Sequence, residues 1–192
     1  MRNKITITKF SDVRSIALVA SLLFTLISLQ SLAINTKTAT ASGNWSNSSI
    51  WSPAGIPSDT DNVIINSGIT VTVDGDYTCR NLNVGHNSSS TTMLKIITAG
   101  NSLTVTGDLD FNPSNRSASF TIDAGPGDIS FNGTFSHWST SGTNRFQVGT
   151  GSISFTPSVS ITSSAQSFVF TGGGAINFSG NFSDSQNKMT FY

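Results

Sequence analysis

The chain has 192 residues, a length for one domain preceded by a short leader. Ten basic and ten acidic residues cancel, every acid is Asp, and Ser, Thr, Asn and Gly fill 91 positions. This excludes a helical bundle or coiled coil, which lean on Ala, Glu, Lys, Leu and Arg, and also a basic nucleic-acid binder; a single Cys excludes a disulfide framework and a Cys-based zinc site.

Residues 1–33 read as a cleaved secretory signal. Arg2, Lys4, Lys9 and Arg14 form a positive start, Ile16 to Leu29 an uncharged apolar run, and Ser31-Leu32-Ala33 a small-residue cleavage site. The competing reading is a transmembrane anchor, but the run is 14 residues, against about 20 needed to span a bilayer. No Cys follows the cut to carry a lipid. Cleavage leaves six basic and nine acidic residues, with no basic patch to hold the chain to lipid. The expected location is therefore extracellular or the cell surface, without membrane insertion.

Residues 34–62 read as a linker and cap, and residues 63–192 as repeating strands. In the cap, Trp45 and Trp51 precede Val63–Ile65, Val71–Val73 and Leu82–Val84, which are expected to form a first rung. A terminal rung exposes an apolar end and unpaired backbone, and two Trp rings are suited to cover it.

Downstream, a large–polar–large triplet recurs. One series is Leu94-Lys95-Ile96, Phe120-Thr121-Ile122, Phe146-Gln147-Val148, Phe168-Val169-Phe170 and Met189-Thr190-Phe191, at spacings of 21 to 26 residues. After Gly-rich corners comes a second: Leu103–Val105, Ile129–Phe131, Ile153–Phe155 and Ile176–Phe178. A weaker third holds Leu109–Phe111, Phe135, Val159–Ile161 and Phe182. Strand side chains alternate faces, so each triplet buries two residues and wets one. Three short strands and three corners per repeat describe one turn of a parallel solenoid. An antiparallel sandwich also shows short alternating strands, but it does not require every third strand to look alike. The predicted fold is all-β: a right-handed parallel β-helix (β-solenoid) of about five rungs with an N-terminal Trp-containing cap, its hand taken from the crossover rule. Thr121, Gln147, Thr104, Ser130, Ser154 and Asn177 are expected to point outward.

The stretch from Gly43 to Val84 carries Trp51, then Gly55, Pro57, Asp61, Val63, Ile65 and Gly68, then Val71, Val73 and Asp74. This pattern resembles the N-terminal module of large secreted β-helical, adhesin-like surface proteins of gliding-type Gram-negative bacteria, and more loosely the eight-glycine extracellular domain. The resemblance implies a β-helical surface protein and is nearly silent on activity. Such proteins usually run on for many hundreds of residues to a sorting domain, which is not found before Tyr192. Met189-Thr190-Phe191 opens a rung without completing it. The expectation is either a fragment of a longer product or self-association through an open C-terminal edge.

Candidate sites are few. Asp59 with Asp61, Asp74 with Asp76, and Asp108 with Asp110 lie two apart. Each pair offers two carboxylates to Ca²⁺ or to glycoside chemistry, or else serves corner hydrogen bonding, which is the favoured reading. No metal, no cofactor and no catalytic residue is assigned. His137 and Trp138 sit in a polar loop, where Trp138 either stacks on a sugar ring or folds over the solenoid wall; they are the two candidate ligand-binding residues. Cys79 is expected to pack as a small apolar residue. Thr70 with Thr72 and Thr104 with Thr106 suggest an ice-binding array, but the matching later positions, Ser130, Ser154 and Asn177, break it. The functional expectation is a structural, adhesive module without catalysis, whose partners are extracellular glycans or surface polymers. The alternative is a carbohydrate-binding or polysaccharide-processing protein.

Overall fold

The computed structural model describes residues 35–86, 91–111, 119–137, 143–161, 167–184 and 189–192. The predicted leader, residues 1–33, lies outside them. The described elements are short strands and one 3₁₀ turn (Ser48–Ile50).

An opening segment contributes β1 (Thr36–Ala39), β2 (Gly43–Asn44) and β3 (Trp51–Ser52). Five turns follow: β4 (Asn62–Asn66), β5 (Thr70–Val73), β6 (Tyr77–Cys79); β7 (Asn81–His86), β8 (Thr92–Ile96), β9 (Ser102–Val105); β10 (Leu109–Phe111), β11 (Phe120–Asp123), β12 (Asp128–Phe131); β13 (Phe135–His137), β14 (Thr143–Val148), β15 (Ser152–Phe155); and β16 (Val159–Ile161), β17 (Ser167–Gly172), β18 (Ala175–Phe178). Strands β19 (Phe182–Asp184) and β20 (Met189–Phe191) come last.

Every third strand pairs with the next of its kind. Sheet I runs β3-β1-β4-β7-β10-β13, sheet II β2-β5-β8-β11-β14-β17-β20, and sheet III β6-β9-β12-β15-β18, with β16 and β19 as a separate pair. The ladders are parallel, apart from β1 with β3. The chain is thus a parallel β-solenoid of about five turns, as the recurring triplets require.

The alternation that predicts the strands also fills the core. Val63 and Ile65, Leu82 and Val84, Leu103 and Val105, Ile129 and Phe131, and Ile153 and Phe155 are all buried on the inner side. In sheet III the register joins Leu103, Ile129, Ile153 and Ile176 in one column and Val105, Phe131, Phe155 and Phe178 in another, the alignment read from the sequence. Stacking is real ring on ring: Phe155 lies 5.1 Å from Phe178, the rings 7° from parallel.

Two details differ from the sequence reading. Sheet II aligns Leu94 with Ile122, Phe146, Phe170 and Phe191, not with Phe120, Phe168 and Met189. The second inner column runs Thr92, Phe120, Asn144 and Phe168, and Met189 pairs in register with Phe168. Two of its members are polar, so matching the first large apolar residue of each triplet shifts the turns of Phe120, Phe168 and Met189 by two positions. A two-residue shift keeps every side chain on its face, which is why the fold survives the slip. The other correction concerns Leu82–Val84. It is not the third strand of the first rung but the first strand of the next turn, paired with Val63–Ile65. The third strand of that rung is β6, whose Tyr77 and Cys79 stack under Leu103 and Val105. Its single polar–polar–apolar step hides it from a search for large apolar pairs.

Corners are set by backbone approach. A Cβ on Gly133 would overlap the carbonyl carbon and oxygen of Gly107 in the turn before. Gly172, at φ +128, would drive a Cβ into the carbonyl of Val148 and occupies backbone space that L side chains rarely adopt. The column Gly107, Gly133, Pro157 and Gly180, between sheets III and I, carries no signal in a search by apolar triplets.

Parallel pairing also begins upstream of Val63. Strand β1 sets Lys37 beside Val63 and Ala39 beside Ile65, and β2 pairs with β5. Trp45 and Trp51 are both buried, meeting edge to face at 5.1 Å, and Trp45 stacks on Tyr77 at 5.7 Å. Trp51 Nε1 donates to the Trp45 carbonyl at 2.9 Å. Lys37 Nζ reaches the carbonyls of Pro53 and Ala54.

Candidate functional site

With the apolar residues inside, any chemistry is left to the outward columns and the corners. Sheet III presents one column: Thr78, Thr104, Ser130, Ser154 and Asn177. Asn177 Nδ2 donates to Ser154 Oγ at 3.3 Å, so neighbours satisfy one another. Sheet II carries Thr72, Lys95, Asp123, Gln147 and Thr171 in register. Of the residues expected outward, Thr121 takes the outward column between Met93 and Arg145 yet is buried, because those longer neighbours flank a short side chain.

The Asp residues act at corners. Asp61 Oδ2 accepts from Ser58 N at 2.8 Å, and Asp123 Oδ1 from Gly125 N at 2.9 Å. Others tie one turn to the next: Ser102 Oγ donates to Asp76 at 2.9 Å, Ser152 Oγ to Asp128 at 2.6 Å, and Thr134 N to Asp108 at 3.1 Å. Each such bond joins a short side chain to a group held by the ladder, so little side-chain entropy is lost. Asp74 receives Ser46 Oγ at 2.5 Å, Ser46 N at 3.0 Å and Tyr77 OH at 3.4 Å. Burial opposes its ionisation, but these donors together outweigh burial and hold the carboxyl below its usual range. Burial, then the Asp74 charge, push the Tyr77 hydroxyl up. Among the described residues no group of three His, Cys, Asp or Glu is placed to hold a metal ion.

The outer face of sheet I differs from the other two. A shallow depression of about 270 Å³ crosses β1, β4, β7 and β10, lined by Thr36, Asn62, Ile64, Asn83, Asp108 and Asp110 among others. Asn83 Nδ2 donates to Asp110 Oδ2 at 3.3 Å, which fixes the Asn83 amide. Its Oδ1, with those of Asn62 and Asn66, is shielded and lacks a hydrogen-bond partner. The lining is rich in acceptors and includes no Lys, Arg or His. Sequence reading found Asp108 and Asp110 but not their Asn neighbours, because outward Asn in an Asn-rich chain carries no signal until register is known.

Of the two candidate ligand residues, His137 ends β13 and pairs with Phe111. Trp138, which follows it, lies outside the described residues. The side chain of His137 likewise lies outside what the structure describes. His86 ends β7, opposite Asn66 across a bulge. Cys79 is fully buried beneath Val105 as the small apolar residue expected, and burial, then the Asp61 charge, push its thiol up to about 12. A thiol so far from ionising is not a nucleophile. Among the described residues, no helix is long and apolar enough to cross a membrane. No protein-family model, curated protein or solved structure matches this chain.

Proposed function

We propose that the chain is a secreted or cell-surface β-solenoid module with a structural and adhesive role and no catalytic activity. The observation that carries this reading is the division of labour in the ladder. Large apolar residues stack in continuous inner columns, while short polar residues occupy outer columns held at fixed spacing. Such a body is a rigid spacer that presents ordered polar faces. The compact unit spans Ile34 to Tyr192 and so starts where the leader reading ends. The resemblance of residues 43–84 to adhesin-like surface proteins agrees with it. In this reading Trp45 and Trp51 close the N-terminal end of the core. Among the described large apolar side chains, Phe182, Phe191 and Tyr192 are exposed.

The carbohydrate-binding reading is favoured by one feature, the acceptor-lined depression on sheet I. A pull-down with insoluble polysaccharides separates the two. Retention that drops in both Trp138→Ala and Asn83→Ala supports glycan binding; no retention on any polymer leaves the structural role standing alone. Surface labelling and N-terminal sequencing of the protein from its producing cells test the main proposal. Protein accessible to a membrane-impermeant label and beginning at Ile34 is the expected result. An intracellular chain that keeps Met1 overturns it.

A further inference from the structure

The corner between sheets III and I holds one chemically reactive pair. In successive turns this corner reads Thr106-Gly107, Asn132-Gly133, Thr156-Pro157 and Ser179-Gly180. Backbone ladders fix it: Thr106 N bonds Cys79 O, Asn132 N bonds Val105 O, Thr156 N bonds Phe131 O, and Ser179 N bonds Phe155 O. Gly133 is enforced, because a Cβ there would meet the Gly107 backbone. The fold therefore places after Asn132 the one residue that offers no side-chain shield to its own amide nitrogen.

Three further facts converge on this pair. Asn132 is exposed to solvent. Its Oδ1 accepts from Thr156 Oγ1 at 3.0 Å, which draws electrons from the amide carbon. Among the described residues the Gly133 N–H has no hydrogen-bond partner, in contrast to Gly107 N, which donates to Arg80 O at 2.6 Å. A nitrogen already bonded must first be released; this one is not.

We propose that Asn132–Gly133 is a site of spontaneous modification, at which the asparagine closes on the following amide and is converted to aspartate or isoaspartate. The Gly133 nitrogen gives its proton to solvent and attacks Asn132 Cγ. The new N–Cγ bond forms, the Cγ–Nδ2 bond breaks, and Nδ2 leaves as ammonia after taking a proton. Water then opens the cyclic imide at either carbonyl. Opening at one carbonyl gives aspartate; opening at the other gives isoaspartate, with an extra methylene in the main chain. Both products add negative charge in a corner that also holds Asp108, whose carboxylate accepts from Thr134 N.

The experiment incubates the full folded chain at mildly alkaline pH and reads peptides by mass spectrometry, with a second sample held in urea. The amide-to-acid mass gain should appear first in the peptide carrying Asn132, about tenfold faster than at Asn66 or Asn101, which precede Ser. The folded rate at Asn132 should stay within about tenfold of the urea rate. Asn132→Gln should abolish the gain in that peptide, since a larger ring closes far more slowly. The proposal is overturned if folding protects Asn132 as strongly as it protects Asn66 and Asn101, or if another Asn of the folded chain reacts first.

Discussion

Replacing Phe155 by Asp, against Ser154 by Asp, sets two adjacent positions of one strand against each other. Phe155 is 1 % exposed and its ring meets four others: Phe178 at 5.1 Å, Phe131 at 5.2 Å, Phe146 at 5.5 Å and Phe135 at 6.1 Å. Truncating such a residue to Ala costs about 3–5 kcal/mol. A carboxylate left there without a partner adds several more, or is protonated at comparable cost. The sum reaches the whole stability of an ordinary domain, about 5–15 kcal/mol. Phe155→Asp should therefore unfold the chain, while Phe155→Ala, as a graded control, should lower the urea midpoint by about 2 M. Ser154 points the other way, between Ser130 and Asn177. The Asn177 amide that now donates to its hydroxyl also suits a carboxylate, so Ser154→Asp should stay within about 0.5 kcal/mol of the parent. Urea titration followed by far-ultraviolet circular dichroism reads all three. Equal damage from the two Asp variants would refute the inward–outward alternation, and the stacked core with it.

Gly133→Ala should cost about 1–3 kcal/mol, because backbone meets backbone and neither gives. Gly173→Ala, whose nearest neighbour is Gly149 O at 3.7 Å, should instead gain about 0.4–1 kcal/mol by restricting the unfolded chain; melting temperatures of the two variants moving together would contradict the corner geometry. Asn144→Leu should raise the urea midpoint, since it removes a fully buried amide with neither atom partnered, worth about 1–3 kcal/mol; a lower midpoint would mean the amide is satisfied. Asp74 has a lowered folded pKa, so its contribution is complete above the usual carboxylate value of 3.8 and is lost as pH falls through the lowered one. The difference in melting temperature between the parent and Asp74→Asn should therefore hold constant at neutral pH and shrink in acid; a difference that grows in acid would reverse the sign of the shift.

How much of this was legible in the sequence depends on the residue type that carries each feature. Sheet III was readable from β9 onward because Leu103, Ile129, Ile153 and Ile176 are large and apolar in four successive turns. Sheet II was readable as a face but not in register, because Thr92 and Asn144 interrupt its inner column. Polar residues inside a core give no periodic signal; they are found only when the ladder is laid out. Strand β6 escaped for a related reason, since Cys79 is small and Tyr77 keeps its hydroxyl near Asp74. The Asp pairs were recognised as corner residues on the strength of their own turn chemistry, but their partners one turn away, such as Ser102, Thr134 and Ser152, depend on the length of each turn. The turns vary in length, and that variation is what a sequence of short polar residues conceals.

The same property sets the outer faces apart from the core. Inner positions answer to the turn above and the turn below at once, so a change at Phe146 must be accommodated by Ile122 and Phe170 together. An outer position answers mainly to its own neighbours in the column, where one hydroxyl or amide replaces another at little cost. The outer columns are thus free to diverge by face without disturbing the ladder. Sheet III does so toward hydroxyls that bond each other. Sheet I does so toward amides and carboxylates whose acceptors exceed their donors, beside a depression and beside the strand that leads to Trp138. Because buried acceptors without partners cost free energy, that face is the least self-sufficient of the described surface. It is therefore the first place to look for a ligand that brings hydroxyl donors of its own.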